Sequence, residues 1–215
     1  MRVMGCSVAL AAAVLAGLFP ARGSIGQAAN GRFLFCRAIH LESPDRRWLL
    51  GSDCTFDCPP GLDRDWNRAA VPVCSSNNGL FLRATSTRDK EPIEFDGYSG
   101  NAVWSPDSAA FFVNDHSASD RTDSALYTVD PLRKIDAAGA IRNSDPAAVH
   151  YFHGHRYFLA QRWIDNHTAL VQFCGHTDEF PVVEFDFHYR VGIDGSAQRI
   201  SRRLTRPSLD HPDCE

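Results

Sequence analysis

An all-β domain is what this sequence predicts, on three observations. Apolar residues come in short runs rich in β-branched and aromatic side chains, such as Leu80-Phe81-Leu82, Phe111-Phe112-Val113, Leu126-Tyr127-Thr128-Val129 and Ala169-Leu170-Val171. Clusters of Gly, Pro, Asp, Asn and Ser separate them, as turns separate strands. The run from Val182 to Val191 alternates bulky apolar with polar residues, the period of a half-buried strand. No stretch beyond residue 23 keeps apolar residues at helical spacing for three turns. Residues 132–149 come nearest, and Gly139 and Pro146 interrupt them.

Residues 1–23 have the form of a signal peptide. Arg2 supplies a charged start, Val8 to Phe19 is an unbroken apolar run of 12 residues, and Pro20 ends it before the small residues Ala21 and Gly23. At ~1.5 Å per residue such a run falls well short of the ~30 Å hydrocarbon core, which predicts an exported chain without stable membrane insertion. Residues 24–215 are then long enough for one domain with a sizeable core. The leader holds Arg2 and Arg22 and no acid, so 22 basic and 26 acidic residues become 20 against 26, a net charge of −6. That balance argues against nucleic acid as a partner. The densest basic cluster, Arg199, Arg202, Arg203 and Arg206, is short and reads as a solvated strand and tail.

Six cysteines follow the leader: Cys36, Cys54, Cys58, Cys74, Cys174 and Cys214. An even number in an oxidising compartment predicts disulfides. Their pairing stays open, with local bridges among the first four and a Cys174–Cys214 tie to the tail as natural choices. Cys54 and Cys58 lack the second close-spaced pair of a zinc ribbon. The Cys- and Pro-rich segment 51–78 reads as a stapled surface loop.

An internal repeat carries the most information. Trp104-Ser105-Pro106-Asp107-Ser108-Ala109-Ala110-Phe111-Phe112 aligns without a gap on Trp163-Ile164-Asp165-Asn166-His167-Thr168-Ala169-Leu170-Val171. Ser43-Pro44-Asp45 opens a third copy that runs on to Leu50. The copies lie about sixty residues apart. Proline presets φ inside a tight turn and an Asp or Asn side chain accepts from the backbone beyond it, so Asp45, Asp107 and Asn166 are read as turn formers. Trp104 and Trp163 are read as packing residues.

The unit Trp-Ser-Pro-Asp, an apolar strand, and a strand ending Tyr127-Thr-Val-Asp130 resembles the blade of the TolB-like β-propeller family. The likeness is best over residues 95–130 and partial over 157–205. It implies a propeller-like stack of about three recognisable units, with an open or sandwich-like sheet stack as the alternative. Ser108 stands where that family prefers Gly, and the copy at Trp163 lacks Ser-Pro. Three units fall short of the usual 4–8 blades, which leaves room for a cryptic fourth unit or for a homodimer that completes the ring.

No nucleophile elbow, His-Glu-x-x-His, phosphate loop or dinucleotide fingerprint is present. Two constellations suggest metals. His150, His153 and His155 offer imidazoles for Zn²⁺, with His153 and His155 on one face if that segment is a strand. Asn114, Asp115, His116, Asp120 and Asp123 offer donors for Ca²⁺ in what reads as a polar loop between strands. Asn166-His167-Thr168 is also a glycosylation sequon. The expectation that follows is an exported non-enzymatic module binding a protein, peptide or glycan in the periplasm or extracellular space. The alternative is a small metal-dependent hydrolase or lyase using the His150–His155 cluster.

Overall fold

The computed structural model describes residues 30–33, 40–52, 79–95, 99–205 and 214. The fold is all-β, and among the described residues one short α-helix and one 3₁₀ segment lie between strands. Strand β1 (Asn30–Phe33) pairs with a later strand. The other twelve strands fall into three consecutive four-stranded antiparallel meanders, each joined by strand-to-strand hairpin pairing.

The first unit is β2 (His40–Glu42), β3 (Trp48–Ser52), β4 (Leu80–Ala84) and β5 (Glu91–Pro92). The second is β6 (Ser99–Trp104), β7 (Ala110–Ala118), β8 (Arg121–Val129) and β9 (Leu132–Asp136). The third is β10 (His155–Trp163), β11 (Thr168–His176), β12 (Glu184–Gly192) and β13 (Ala197–Thr205). The second and third units share one strongly curled sheet, because β10 pairs in parallel with the start of β8 at Arg121 and Thr122. A parallel pair needs a crossover. Here β9, helix α1 (Ala137–Ser144) and the 3₁₀ segment Pro146–Phe152 supply it.

The segment 132–149, read as the best helix candidate, therefore divides. β9 takes its first five residues, and the Asp136 carboxylate caps α1 by accepting from Ala138 N at 3.1 Å and Gly139 N at 2.9 Å. Pro146 cannot continue an α-helix and opens the 3₁₀ segment instead. Asp145, between them, is fixed from outside: Tyr189 donates its hydroxyl to it at 2.9 Å and Arg199 meets it at 2.8 Å.

The repeat is built into one turn, placed between the first two strands of each unit. In the first unit the Ser43 hydroxyl donates to Asp45 Oδ1 at 2.7 Å, and Trp48 N–H donates to the Ser43 oxygen at 3.0 Å. In the second, Ser105 donates to Asp107 at 2.7 Å, and Ala110 N–H donates to Ser105 at 3.0 Å. Each Asp also accepts from the backbone two residues on, Arg47 and Ala109. Partial burial pushes the Asp45 carboxyl up, but the Arg47 backbone N–H, the Ser43 hydroxyl and the Arg47 guanidinium outweigh it and hold the group down at about 2.

The third copy differs by one residue. Its turn spans 164–167 instead of five residues, and the carboxylate that accepts from the backbone is Asp165, bonded to His167 N at 2.8 Å. Asn166 lies in the turn without that bond, so the gapless alignment slips after the tryptophan. Trp104 pairs across to Phe111, whereas Trp163 pairs to Ala169. Tyr127 and Tyr189 consequently stand two registers apart on their strands.

Arg46 and Ser108 occupy the same turn position with φ of 61° and 65°. An L-residue there costs roughly 1–2 kcal/mol. Ser108 is retained for a reason: its hydroxyl accepts from Asp45 N at 3.0 Å, joining the first two units. Arg46 has no such duty. Arg46→Gly should raise unfolding stability by about 0.5–1 kcal/mol after the entropy of glycine is counted, and Ser108→Gly should not. Denaturant midpoints of the two variants check this.

The units stack through apolar faces. Leu50, Leu82 and Ile93 of the first meet Trp104, Phe111, Val113 and Tyr127 of the second. Val103, Phe112 and Leu126, on the opposite face of the second, meet Trp163, Phe158 and Phe173 of the third together with Ile141 of α1. The same tryptophan contact recurs at both junctions. Trp104 Nε1 donates to Leu41 O at 3.3 Å, and Trp163 Nε1 donates to Val103 O at 3.0 Å. Leu41 and Val103 each stand two residues before their unit's turn serine, so each unit grips its predecessor at one equivalent carbonyl.

Candidate functional site: the free face of the third unit

Side chains alternate across a strand, so the second unit has one face toward its predecessor and one toward its successor. In the second unit the successor face carries the cross-strand row Val103, Phe112, Leu126 and Ile135, all buried against the third unit or α1. Aligning Trp163 on Trp104 through the strand registers gives the matching row in the third unit: Arg162, Leu170, Arg190 and Gln198. Arg162, Arg190 and Gln198 are exposed and Leu170 is half-buried. Among the described residues neither guanidinium has an ion pair.

The next row is polar in both units. In the second, Asn114 Nδ2 donates to Asn101 Oδ1 at 2.9 Å and to Ala160 O at 2.9 Å, while Ala160 N–H donates back to Asn114 Oδ1 at 2.8 Å. Ser124 adds its hydroxyl, which donates to Phe158 O at 2.7 Å and accepts from Ala160 N at 3.0 Å. This row therefore clamps the backbone of β10. Its counterpart in the third unit is Leu159, Gln172, His188 and Ser201. Gln161, the extra residue at the bulge in β10, donates to Gln172 Oε1 at 2.9 Å, and Gln172 Nε2 donates to Asp186 Oδ1 at 3.0 Å. His188 Nδ1 lies 3.0 Å from Ser201 Oγ.

Towards the far end, Tyr157, Cys174, Asp186 and Arg203 form the third row, and His155, His176, Glu184 and Thr205 the fourth. The rings of His155 and His176 lie 4.2 Å apart. The loop beyond them carries Phe180, 97% exposed, followed by Pro181. Cys174 is bonded to Cys214, with 6.0 Å between their Cα atoms. Cys36, Cys54, Cys58 and Cys74 lie outside the described residues, as does the segment 53–78 of the expected loop; Gly51 and Ser52 belong to β3.

The expected zinc set does not assemble. His150 sits in the 3₁₀ segment with its ring edge-on to Tyr151, His153 follows the end of that segment, and His155 opens β10 against His176. Among the described residues no three His, Cys, Asp or Glu side chains are placed to hold a metal ion. The calcium set lies close together, with Asp115 opposite Asp123 and both near Arg121, but it is not placed to hold a metal ion. Asn114, Asp115 and His116 lie in β7 and Asp123 in β8, so the segment is a hairpin with its turn at 119–120, not a loop. Asn114 is 3% exposed and spent on its neighbours, and Asp123 pairs with Arg121 at 2.6 Å. Burial holds the His116 imidazole below its usual range, and its Nδ1 meets the Thr122 hydroxyl at 2.8 Å.

The basic cluster is split by strand alternation. Arg199 serves Asp145, Arg202 lies over the Phe187 ring at 5.7 Å, and Arg203 alone of those three stands on the free face; Arg206 lies outside the described residues. Sequence reading missed Arg162, Gln172 and Arg190. The signal that finds the two arginines is the mismatch between equivalent positions, apolar in the second unit and charged in the third; Gln172 is found only through its register match to Asn114. No family model, curated protein or solved structure matches the chain.

Proposed function

We propose that the chain is an exported, non-enzymatic binding module: a β-propeller-like stack of three blades whose third unit offers the arginine-bearing end of its outer face, away from the Cys174–Cys214 bond, to a protein, peptide or glycan of the periplasm or extracellular space. The observation that carries the reading is the change at one row. Val103, Phe112 and Leu126 glue the second unit to the third, and Arg162, Leu170 and Arg190 occupy the same places where no fourth unit packs among the described residues. In stacked-repeat proteins a terminal unit with a polar outer face is the device that ends the stack. A charged face also repels its own copy, which disfavours a homodimer formed through two third units.

The three-unit repeat supports the propeller comparison through the shared turn and the shared tryptophan-to-carbonyl contact. The sequence of residues 1–23 supports export, and among the described residues no helix is long and apolar enough to cross a membrane. No observation favours the hydrolase or lyase reading. Peptide and glycan arrays probed with the labelled chain lacking residues 1–23 test the proposal. Saturable binding that is lost in the double variant Arg162→Glu, Arg190→Glu is expected; background signal on both arrays would remove it.

A further inference from the structure

We infer that β13, the last strand of the curled sheet, is an edge that takes up an extended acidic segment of a partner polypeptide as a further strand. The inference goes beyond the outer-face reading and makes no use of Arg162 or Arg190.

A fourth strand completes each unit, and the three are unequal. β5 has two residues, one of them Pro92, which has no N–H to offer. β9 has five, and its last residue, Asp136, already caps α1. β13 has nine, the full length of its partner β12, and no proline. Short edge strands and edge prolines keep a sheet from acquiring further strands. The first unit has both devices, the second has a short strand, and the third has neither. β13 also ends the strand order of the larger sheet. Seven successive residues, from Gln198 to Leu204, are exposed, so both faces of the strand are open to solvent. Ile200 at 49% and Leu204 at 42% are, with Phe180, the exposed large apolar side chains among the described residues. Every second residue of an antiparallel strand turns its N–H and C=O away from the partner. At the start of β13 such a group is in use, since Ala197 N–H donates to the Ser144 hydroxyl at 3.2 Å. The Cys174–Cys214 bond lies on β11, two strands inward from this edge.

The charge of the strand selects its occupant. Residues 197–205 carry Arg199, Arg202 and Arg203 and no acid. Arg199 is spent on Asp145 at 2.8 Å. Arg202 lies over the Phe187 ring and donates to Tyr151 Oη at 3.3 Å, contacts that leave its charge uncompensated. Arg203 stands on the opposite face, across from Asp186. Among the described residues neither Arg202 nor Arg203 has an ion pair. A second copy paired along β13 would put the arginines of both chains on one ladder with no acid between them, which like-charge repulsion opposes. An incoming strand with acids at two successive positions would instead meet a guanidinium on each face, and guanidinium groups favour carboxylates through charge-assisted bonds. An apolar residue next to those acids would meet Leu204. In strand addition the backbone ladder supplies the affinity and the alternating side chains choose the partner. A glycan has no such ladder to offer.

The test is fluorescence anisotropy of the chain lacking residues 1–23 with the labelled peptide Ser-Thr-Val-Glu-Glu-Val-Thr-Ser, whose order is the same in either direction. Saturable binding is expected, with at least a tenfold loss when both Glu are replaced by Lys. Arg203→Glu should lose at least tenfold for the Glu-Glu peptide with its melting transition unchanged, because that side chain is exposed. N-methylation separates a ladder from plain charge attraction. An added strand turns alternate N–H groups toward β13, so methylating one alternate set should lose at least tenfold and methylating the other should not. Equal effects of the two sets would reduce the edge to electrostatics and overturn the inference. Binding seen only after Cys214→Ser would assign the edge to the chain's own tail and overturn it as well. A chain that sediments as a dimer and binds no peptide would give the edge to a second copy, with the same consequence. Array hits lost in Arg162→Glu, Arg190→Glu, with no binding of the Glu-Glu peptide, would keep the outer-face reading and remove this one. Peptide binding lost in Arg203→Glu, with silent arrays, would do the reverse.

Discussion

Trp104→Ala should cost about 3–5 kcal/mol of unfolding free energy, the range for deleting a large buried aromatic side chain. The residue is fully buried, and its ring packs 5.0 Å from that of Phe111, itself stacked 5.0 Å from Tyr127. Its removal opens a cavity in the layer between the first and second units. It also leaves Leu41 O without the indole donor 3.3 Å away. Trp104→Phe retains most of the apolar volume and loses that donor, so about 1–2 kcal/mol is expected, close to the cost of a missing hydrogen bond plus a small void. Trp163→Ala should resemble Trp104→Ala, because Trp163 donates to Val103 O and packs 5.9 Å from Phe112. Urea midpoints with unchanged slopes would measure all three. A loss under 1 kcal/mol for either alanine variant would mean that the tryptophans decorate the units and do not join them.

The repeat was legible because a turn is a local object. Ser43, Asp45, Ser105 and Asp107 satisfy backbone groups within five residues, so their spacing survives in sequence whatever surrounds them. The slip in the third copy was less visible. One residue is missing from the turn and one is added at the bulge beside Gln161, so the two changes nearly cancel along the chain while altering which residues face each other. The helix was obscured for a different reason. At eight residues, with Gly139 inside, α1 has little helical propensity of its own. It forms because Ile141 is buried in the core and Asp145 is anchored by Tyr189 and Arg199, partners forty-four and fifty-four residues away.

The site was harder still. A charged residue on a strand looks like solvent-facing polarity, and Arg162 and Arg190 acquire meaning only beside Val103 and Leu126. That comparison requires register, and register comes from strand pairing. The histidines show the same dependence on structure: proximity in sequence suggested a ligand set at His150, His153 and His155, and the chain distributes them over the 3₁₀ segment, the residue after it and the start of β10, where no three such side chains among the described residues are placed to hold a metal ion. The aspartates near residue 120 were placed in a loop because Ser and Asp are common in turns, although each sits on one of two long paired strands or at the hairpin between them.

Asn114→Leu should have the largest effect of any polar substitution, about 2–4 kcal/mol. The new side chain has similar volume and fits the burial, but it cannot hold β10. Ala160 O and Asn101 Oδ1 would each lose a donor, and Ala160 N–H would keep only Ser124 Oγ at 3.0 Å. Buried groups left unpaired cost about 1–3 kcal/mol each, and partial relaxation keeps the total below the full sum. Backbone exchange should report the position as well: the Ala160 amide should lose protection ahead of amides in β3 and β4, since the first unit does not depend on this clamp. Asn114→Asp separates the hydrogen-bond argument from packing. Ionised, its carboxylate would set oxygen against Ala160 O and Asn101 Oδ1; protonated, one O–H restores a donor. Burial and these oxygens favour the neutral form, so the folded-state pKa of the introduced carboxyl lies above its unfolded value of about 3.9. The variant's stability relative to wild type is then greatest below about pH 4 and falls as pH rises through the folded-state pKa. Urea midpoints from pH 3.5 to 7 should trace that decline for Asn114→Asp and a flat offset for Asn114→Leu. A flat offset for both would show that the site tolerates a carboxylate and that Asn114 does not clamp the third unit through its amide.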